Sequence, residues 1–300
     1  MELRDLRYFI AVAEALHFRQ AAERLHITQP ALSRQIHALE AELDVQLFHR
    51  SKRSVKLTLA GQTFLEEARQ ILRQAEQAVL RTKRAARGEI GQLRLSFTPS
   101  ALRGIVPEIV RGFRDRYPDV QLTMTERCTQ DQVEAFLAHQ LDVGFLYPPI
   151  DNTLLTTTPL RTETLVVALP QDHPLALHTS LKLSDLANEP FILHPRQEGP
   201  HLHDHIVSLC QQAGFRPQII QEAVASQTRI GLVAAGMGIT LIPETLKDQE
   251  VPAVIYRNLQ GVALSLQLAI ARRSDDFSPV VQHFFQLVEE RFKPSKLPAA

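Results

Sequence analysis

AAERLHITQPALSRQI, residues 21–36, decides how the first part of this chain folds. Ala21, Ala22 and Leu25 mark the inward face of a short helix over about 18–25, and His26-Ile27-Thr28 makes a three-residue turn. Thr28 is placed to cap the next helix, with Pro30 in its first turn, where a missing N–H breaks no bond. That helix runs to about Leu43 and spaces Leu32, Ile36, Leu39 and Leu43 toward one core. Two helices joined by so short a turn form a helix-turn-helix. An amphipathic helix over 2–16 precedes it, carrying Leu3, Leu6, Phe9, Ile10, Ala13 and Leu16 at spacings of three and four. Residues 46–57 read as a hairpin, with Leu47-Phe48 and Val55-Lys56-Leu57 flanking a charged turn.

The polar edge of the third helix carries the chemistry. Gln29, Ser33 and His37 recur at i, i+4 with Pro30 and Arg34 beside them, and no carboxylate intervenes before Glu40. Gln can bond adenine through two hydrogen bonds and Arg can bond guanine, so this edge suits a major groove. Thr28 and the first-turn N–H groups can take a phosphate. Arg50, Arg53 and Lys56 lie on the hairpin, where they can hold the flanking backbone. Charge agrees. The whole chain balances 33 basic against 33 acidic residues, but residues 1–90 hold 15 basic and 11 acidic side chains. A solvated helix in a small bundle has the same periodicity, so spacing alone leaves both readings open.

Residues 21–36, continued through Leu39-Glu40, Leu43, Leu47-Phe48, Arg50, Arg53, Val55, Leu57-Thr58 and Ala60-Gly61, strongly resemble the signature of the LysR-type transcriptional regulators. The likeness covers nearly all of residues 1–65. It departs at Asp44, where that family usually has Gly after the recognition helix; Asp tolerates left-handed geometry less well, at a small expected cost in stability. The resemblance implies an α+β multidomain chain: a winged helix-turn-helix over 1–58, a linker helix over 59–88 and a two-lobed α/β effector domain, periplasmic-binding-protein-like, over 91–300. It implies a promoter-binding protein with double-stranded DNA as partner, and no enzyme. A solute-binding or enzymatic α/β module with an incidental helical head is the rival.

The linker has its own signal. Leu65, Leu72, Val79 and Ala86 recur every seven residues, with Ala68, Ala75 and Thr82 between them, a narrow stripe suited to close helix pairing. The competing expectation is packing against the chain's own winged domain. In the family this helix pairs two subunits, so a homodimer is expected, and the resemblance alone adds a homotetramer.

From 91 onward short apolar runs (93–97, 120–125, 143–147, 165–169, 191–193, 239–242, 264–271) alternate with helical stretches near 102–116, 130–140, 202–213, 226–235 and 278–292. Such alternation predicts mostly parallel sheets. The resemblance divides the region into lobe I (about 91–161 plus 267–300) and lobe II (about 162–266), with crossings near Leu160–Glu163 and Leu266–Leu268. A ligand in such a fold lies between lobes, at strand ends and helix N-termini that favour anions. Thr98 and Ser100, Thr129, then His201, Leu202 and His203, and finally Gln227 are the expected effector contacts, and a small organic anion is the expected ligand. The branch of the family sensing aromatic-degradation intermediates has a similar second lobe, although Leu202-His203 replaces its usual Phe-Ser.

The rest of the chain narrows the field. Apolar residues make up 44% and charged residues 22%, which describes an ordinary globular chain. No window reaches the roughly 18 apolar residues of a membrane span, and the N-terminus lacks a secretory h-region, so a cytoplasmic location is expected. His194, His201, His203 and His205 lack convergent metal ligands, and no cofactor or metal is expected. Cys128 and Cys210 stand far apart in sequence, against a disulfide switch.

Overall fold

The computed structural model describes residues 1–51, 54–150, 152–247, 251–260 and 265–292, and its contacts divide at Ala85/Ala86 into two compact units.

The first unit holds α1 (Leu3–Ala15), α2 (Phe18–Arg24), α3 (Gln29–Leu43), the antiparallel hairpin β1 (Phe48–Arg50) with β2 (Val55–Leu57), and α4 (Leu59–Ala86). Its core gathers Leu6, Phe9, Val12, Leu32, Ile36, Leu39, Leu47 and Phe48, all nearly without exposure. Phe9 stands at the centre, its ring 5.4 Å from Phe48 and 4.9 Å from Phe64. Thr28 occupies the N-cap of α3 in extended geometry, but its hydroxyl makes no capping bond, so the expected side-chain cap is absent. Asp44 ends α3 in left-handed geometry at φ 53°. Thr58 does cap α4: its hydroxyl accepts from Gly61 N at 2.9 Å and donates to the Gln46 carbonyl at 2.7 Å. Only glycine fits at 61, because a Cβ there would collide with the Leu47 carbonyl.

The stripe on α4 divides. Leu65, Ala68 and Leu72 pack into the first unit's own core, while Val79 and Leu80 are exposed. Own-domain packing therefore takes Leu65, Ala68 and Leu72 from the stripe and leaves Val79 uncovered. Among the described residues no helix is long and apolar enough to cross a membrane.

The second unit runs in the order β3 (Gly91–Phe97), α5 (Pro99–Arg103), α6 (Val106–Arg116), β4 (Val120–Glu126), α7 (Thr129–Leu137), β5 (Val143–Leu146) and β6 (Leu155–Pro170). It continues with β7 (Ser180–Lys182), β8 (Pro190–Leu193), α8 (Pro200–Gln212), β9 (Gln218–Glu222), α9 (Ser226–Ala234) and β10 (Thr240–Pro243), and ends with β11 (Val254–Gln260), β12 (Ser265–Arg273) and α10 (Pro279–Arg291). One sheet is ordered β4-β3-β5-β12-β6-β11-β7, with β10 also on β6, and β8 pairs β9 separately. The long strand β6 changes partners midway. Residues 155–164 pair β12, and residues 165–170 pair β10 and β11. The two largest apolar cores lie one around Phe113, Phe145 and Phe284, the other around Val167, Phe191, Leu209 and Ile239.

The expectation of mostly parallel sheets is corrected. β3–β4, β3–β5, β7–β11 and β8–β9 are parallel, but β5–β12, β6–β12, β6–β10 and β6–β11 are antiparallel. The reason is topological: β6 and β12 carry the chain between lobes and run against the strands beside them. The helix expected over 102–116 is also two helices, broken at Gly104-Ile105 ahead of Pro107.

Candidate functional site: the third helix and an interlobe cavity

On α3, Thr28, Gln29, Pro30, Arg34 and His37 are exposed and Ser33 is half-buried, while Leu32, Ile36 and Leu39 fill the core below. The edge therefore offers an amide, hydroxyls and a guanidinium on a rigid support. Lys56 is exposed on β2. Arg53, expected on the same hairpin, lies outside the described residues.

Arg50 is held within the first unit. It does not stand free on the wing: Nη2 donates to Glu40 Oε2 at 2.7 Å, Nη1 donates to His37 Nε2 at 2.7 Å, and the guanidinium lies 4.9 Å from the Phe18 ring centroid. A guanidinium only donates, so His37 Nε2 accepts and the neutral ring carries its proton on Nδ1, 3.6 Å from Glu40 Oε2. The other Glu40 oxygen accepts from Leu47 N at 2.9 Å and Phe48 N at 3.2 Å. Glu40 thus ties α3 to the start of the hairpin, and Arg50 and His37 close that tie.

In the second unit a cavity of about 990 Å³ opens between the lobes. Thr98, Ser100, Thr129, His201 and Leu202 line it, as expected. His203 and Gln227 do not. On α8, positions 201, 202 and 205 share the cavity face, whereas His203 turns into the lobe, 9% exposed and 3.3 Å from Asp204. On α9, Ser226 and Arg229 take the cavity face and Gln227 points to solvent. Among the described residues the histidines do not converge; the grouped donor atoms are instead those of Cys128, Asp131 and Glu198. Both cysteines are free, and burial raises both thiols, Cys210 to about 11.

Sequence reasoning missed three lining or supporting groups: Tyr147, Glu163 and Arg229. The Tyr147 hydroxyl donates to Glu163 Oε2 at 2.6 Å and lies 2.6 Å from Ser100 Oγ. Glu163 sits on β6, 3% exposed, and its Oε1 has no partner. Burial raises its pKa from the ordinary value, against the opposing hydrogen bond from Tyr147. A carboxyl raised on folding contributes stability below its unfolded pKa and loses it as pH rises through the folded value. Glu163→Gln is therefore expected to gain on the parent protein at neutral pH, with the gap narrowing toward pH 4. Urea unfolding across that range checks it; a gap that widens on acidification contradicts the assignment.

Residues 3–62 match the family described as bacterial regulatory helix-turn-helix protein, lysR family, and residues 86–293 match the LysR substrate binding domain. The regulator AlsR of Bacillus subtilis is 42% identical over 96% of this chain and 95% of its own. The crystal structure of full-length CbnR complexed with its target DNA superposes with TM-score 0.84 at 30% identity, covering 97% of this chain and 99% of that one. The effector binding domain of BenM with its effector benzoate matches with TM-score 0.60 at 28% identity, over 67% of this chain and 91% of that one.

Proposed function

This chain belongs to the LysR-type transcriptional regulators, and from that premise we propose that α3 reads promoter DNA while a small organic anion in the interlobe cavity controls the outcome. The reading is carried by the uncovered polar edge of α3, where Gln29 and Arg34 project from a helix whose other side is fully packed. Gln29, Ser33 and Arg34 meet base edges with Pro30 beside them, Thr28 and the first-turn N–H groups meet a phosphate, and Lys56 holds the flanking backbone. His37 acts on this surface through Arg50 and Glu40. The exposed second half of α4, with Val79 and Leu80, pairs with its equivalent in a second copy, giving a homodimer that reads two half-sites. Family membership displaces the rival of a solute-binding or enzymatic module.

In the cavity, Thr98, Ser100, Thr129, His201 and Leu202 contact the effector. BenM, whose matched domain holds benzoate, supports an acid of the aromatic-catabolism kind. A bound effector shifts the regulator only by its different affinity for two arrangements of the protein.

Replacing Arg34 with Ala is expected to weaken binding to the cognate site by about 1–3 kcal/mol, with a much smaller effect on unrelated DNA. Mobility-shift titrations of the full-length protein on its upstream intergenic fragment measure this. Unchanged affinity for the cognate fragment removes Arg34 from the interface.

A further inference from the structure

Three side chains of the first unit share one set of hydrogen bonds whose balance turns on a single proton. Arg50 Nη1 donates to His37 Nε2 and Nη2 donates to Glu40 Oε2, each at 2.7 Å. The other Glu40 oxygen is committed to Leu47 N and Phe48 N. Side-chain exposure rises along the trio, from 9% at Glu40 to 24% at Arg50 and 65% at His37. Glu40 is therefore a fixed anion, and His37 stands in water on the polar edge of α3. Arg50 is held between them.

The bond from Arg50 exists only while His37 is neutral. An imidazolium carries hydrogen on both nitrogens and accepts nothing, so protonation turns Nε2 from a partner into a rival. Histidine ordinarily changes charge between pH 5 and 8. Two cations then converge on one carboxylate oxygen, Glu40 Oε2. His37 is the better placed to keep it, one turn from Glu40 on the same helix with Nδ1 already 3.6 Å away. Arg50 reaches that oxygen from another element, on a long side chain at the end of a three-residue strand. Its remaining contact, the Phe18 ring centroid at 4.9 Å, offers no oxygen. The other acids on the surrounding elements are engaged or distant. Glu2 and Asp5 close a capping box at the start of α1, Glu14 pairs Arg69, Glu23 pairs Arg19 and Glu42 pairs the N-terminus, while Asp44 ends α3 two turns away. The remaining charged or titratable neighbours are basic: Arg34 on α3, His17 and Arg24 at α2, His49 on β1 and Lys56 on β2. Among the described residues only Glu40 and Arg50 bond to His37.

We propose that His37 is a proton-gated latch on Arg50: neutral, it holds the guanidinium on Glu40; protonated, it takes Glu40 itself and frees Arg50 to hold a DNA phosphate. DNA binding then takes up a proton at position 37, and affinity rises as pH falls. The inference rests on the reading of α3 as the DNA-binding edge and adds the residue that links that edge to pH. One further phosphate contact steepens the fall of log affinity with log salt by about 0.9, which is about eightfold in affinity at about 0.1 M salt.

Fluorescence anisotropy titrations of the full-length protein on its labelled upstream intergenic fragment test this, at about pH 8 and about pH 5.5 over a series of salt concentrations. What is compared is each protein's own ratio of affinities at the two pH values, which cancels His17, His26 and His49 because they titrate in every variant. The parent's ratio is expected to exceed that of His37→Gln by about eightfold, with the extra salt slope of about 0.9 seen only in the parent at the lower pH. Glutamine keeps an oxygen for Arg50 at both pH values. Arg50→Gln is expected to lose the same excess although His37 still titrates; if circular dichroism shows that variant unfolded, His37→Gln decides alone. Equal ratios in the parent and His37→Gln overturn the inference. So does a parental ratio in folded Arg50→Gln, which would make the imidazolium itself the contact. Both results leave the reading of α3 intact, whereas a parent that binds no duplex at either pH removes that reading and the latch together.

Discussion

Glu40→Ala is expected to remove about 3–5 kcal/mol from the stability of the first unit, since two buried backbone N–H groups lose their acceptor at about 1–3 kcal/mol each. One carboxylate holds two backbone N–H groups, Leu47 and Phe48, and the Arg50 guanidinium. Alanine would orphan both N–H groups at a buried position and free Arg50 from the pair that orients it. The consequence reaches function because Glu40 is on α3 and its partners begin the wing. Denaturant unfolding of the full-length protein, with a mobility shift on the cognate fragment, measures both effects. Glu40→Gln keeps an oxygen for one N–H and is expected to lose less. A loss below about 1 kcal/mol would mean that water replaces the carboxylate, contrary to its burial.

Much of this was legible in the sequence where a short pattern carries a strong constraint. The turn His26-Ile27-Thr28 between two apolar faces specifies α2 and α3, and Leu32, Ile36 and Leu39 are buried as their spacing predicts. The wing was legible as a hairpin, but Arg50 was not legible as a tie, because its partner Glu40 lies ten positions back on another element. Strands β7, β9 and β11 carry too little pattern to be read. β9 is exposed along its whole length and so shows no alternation, and β7 spans three residues. The cavity shows the same limit. Hydroxyls at helix starts could be anticipated from capping preferences, whereas Arg229 immediately precedes the apolar run Ile230-Gly231-Leu232-Val233 and gave the weaker-looking signal. A charged residue entering such a run was the available clue, since burial of an unpaired cation demands a reason.

Phe284→Ala is expected to destabilise the second unit by about 3–5 kcal/mol, as for other buried aromatic truncations. The argument concerns how lobe I is assembled. Its sheet begins at β3, yet α10 arrives only after the chain has built lobe II and returned through β12. Phe284 is fully buried, with its ring 5.0 Å from Phe113 on α6 and 6.2 Å from Phe145 on β5. It joins the last helix to elements more than a hundred residues earlier, beside Val280, Val281, Leu287 and Val288. Removing the ring leaves a cavity that a layer made of two distant chain segments closes poorly. In unfolding of the full-length protein the transition of the second unit should move and that of the first should stay. Phe284→Leu, which retains most of the volume, should recover over half of the loss. If Phe284→Ala costs less than about 1 kcal/mol, α10 is an accessory to lobe I, and the returning segment does not complete it.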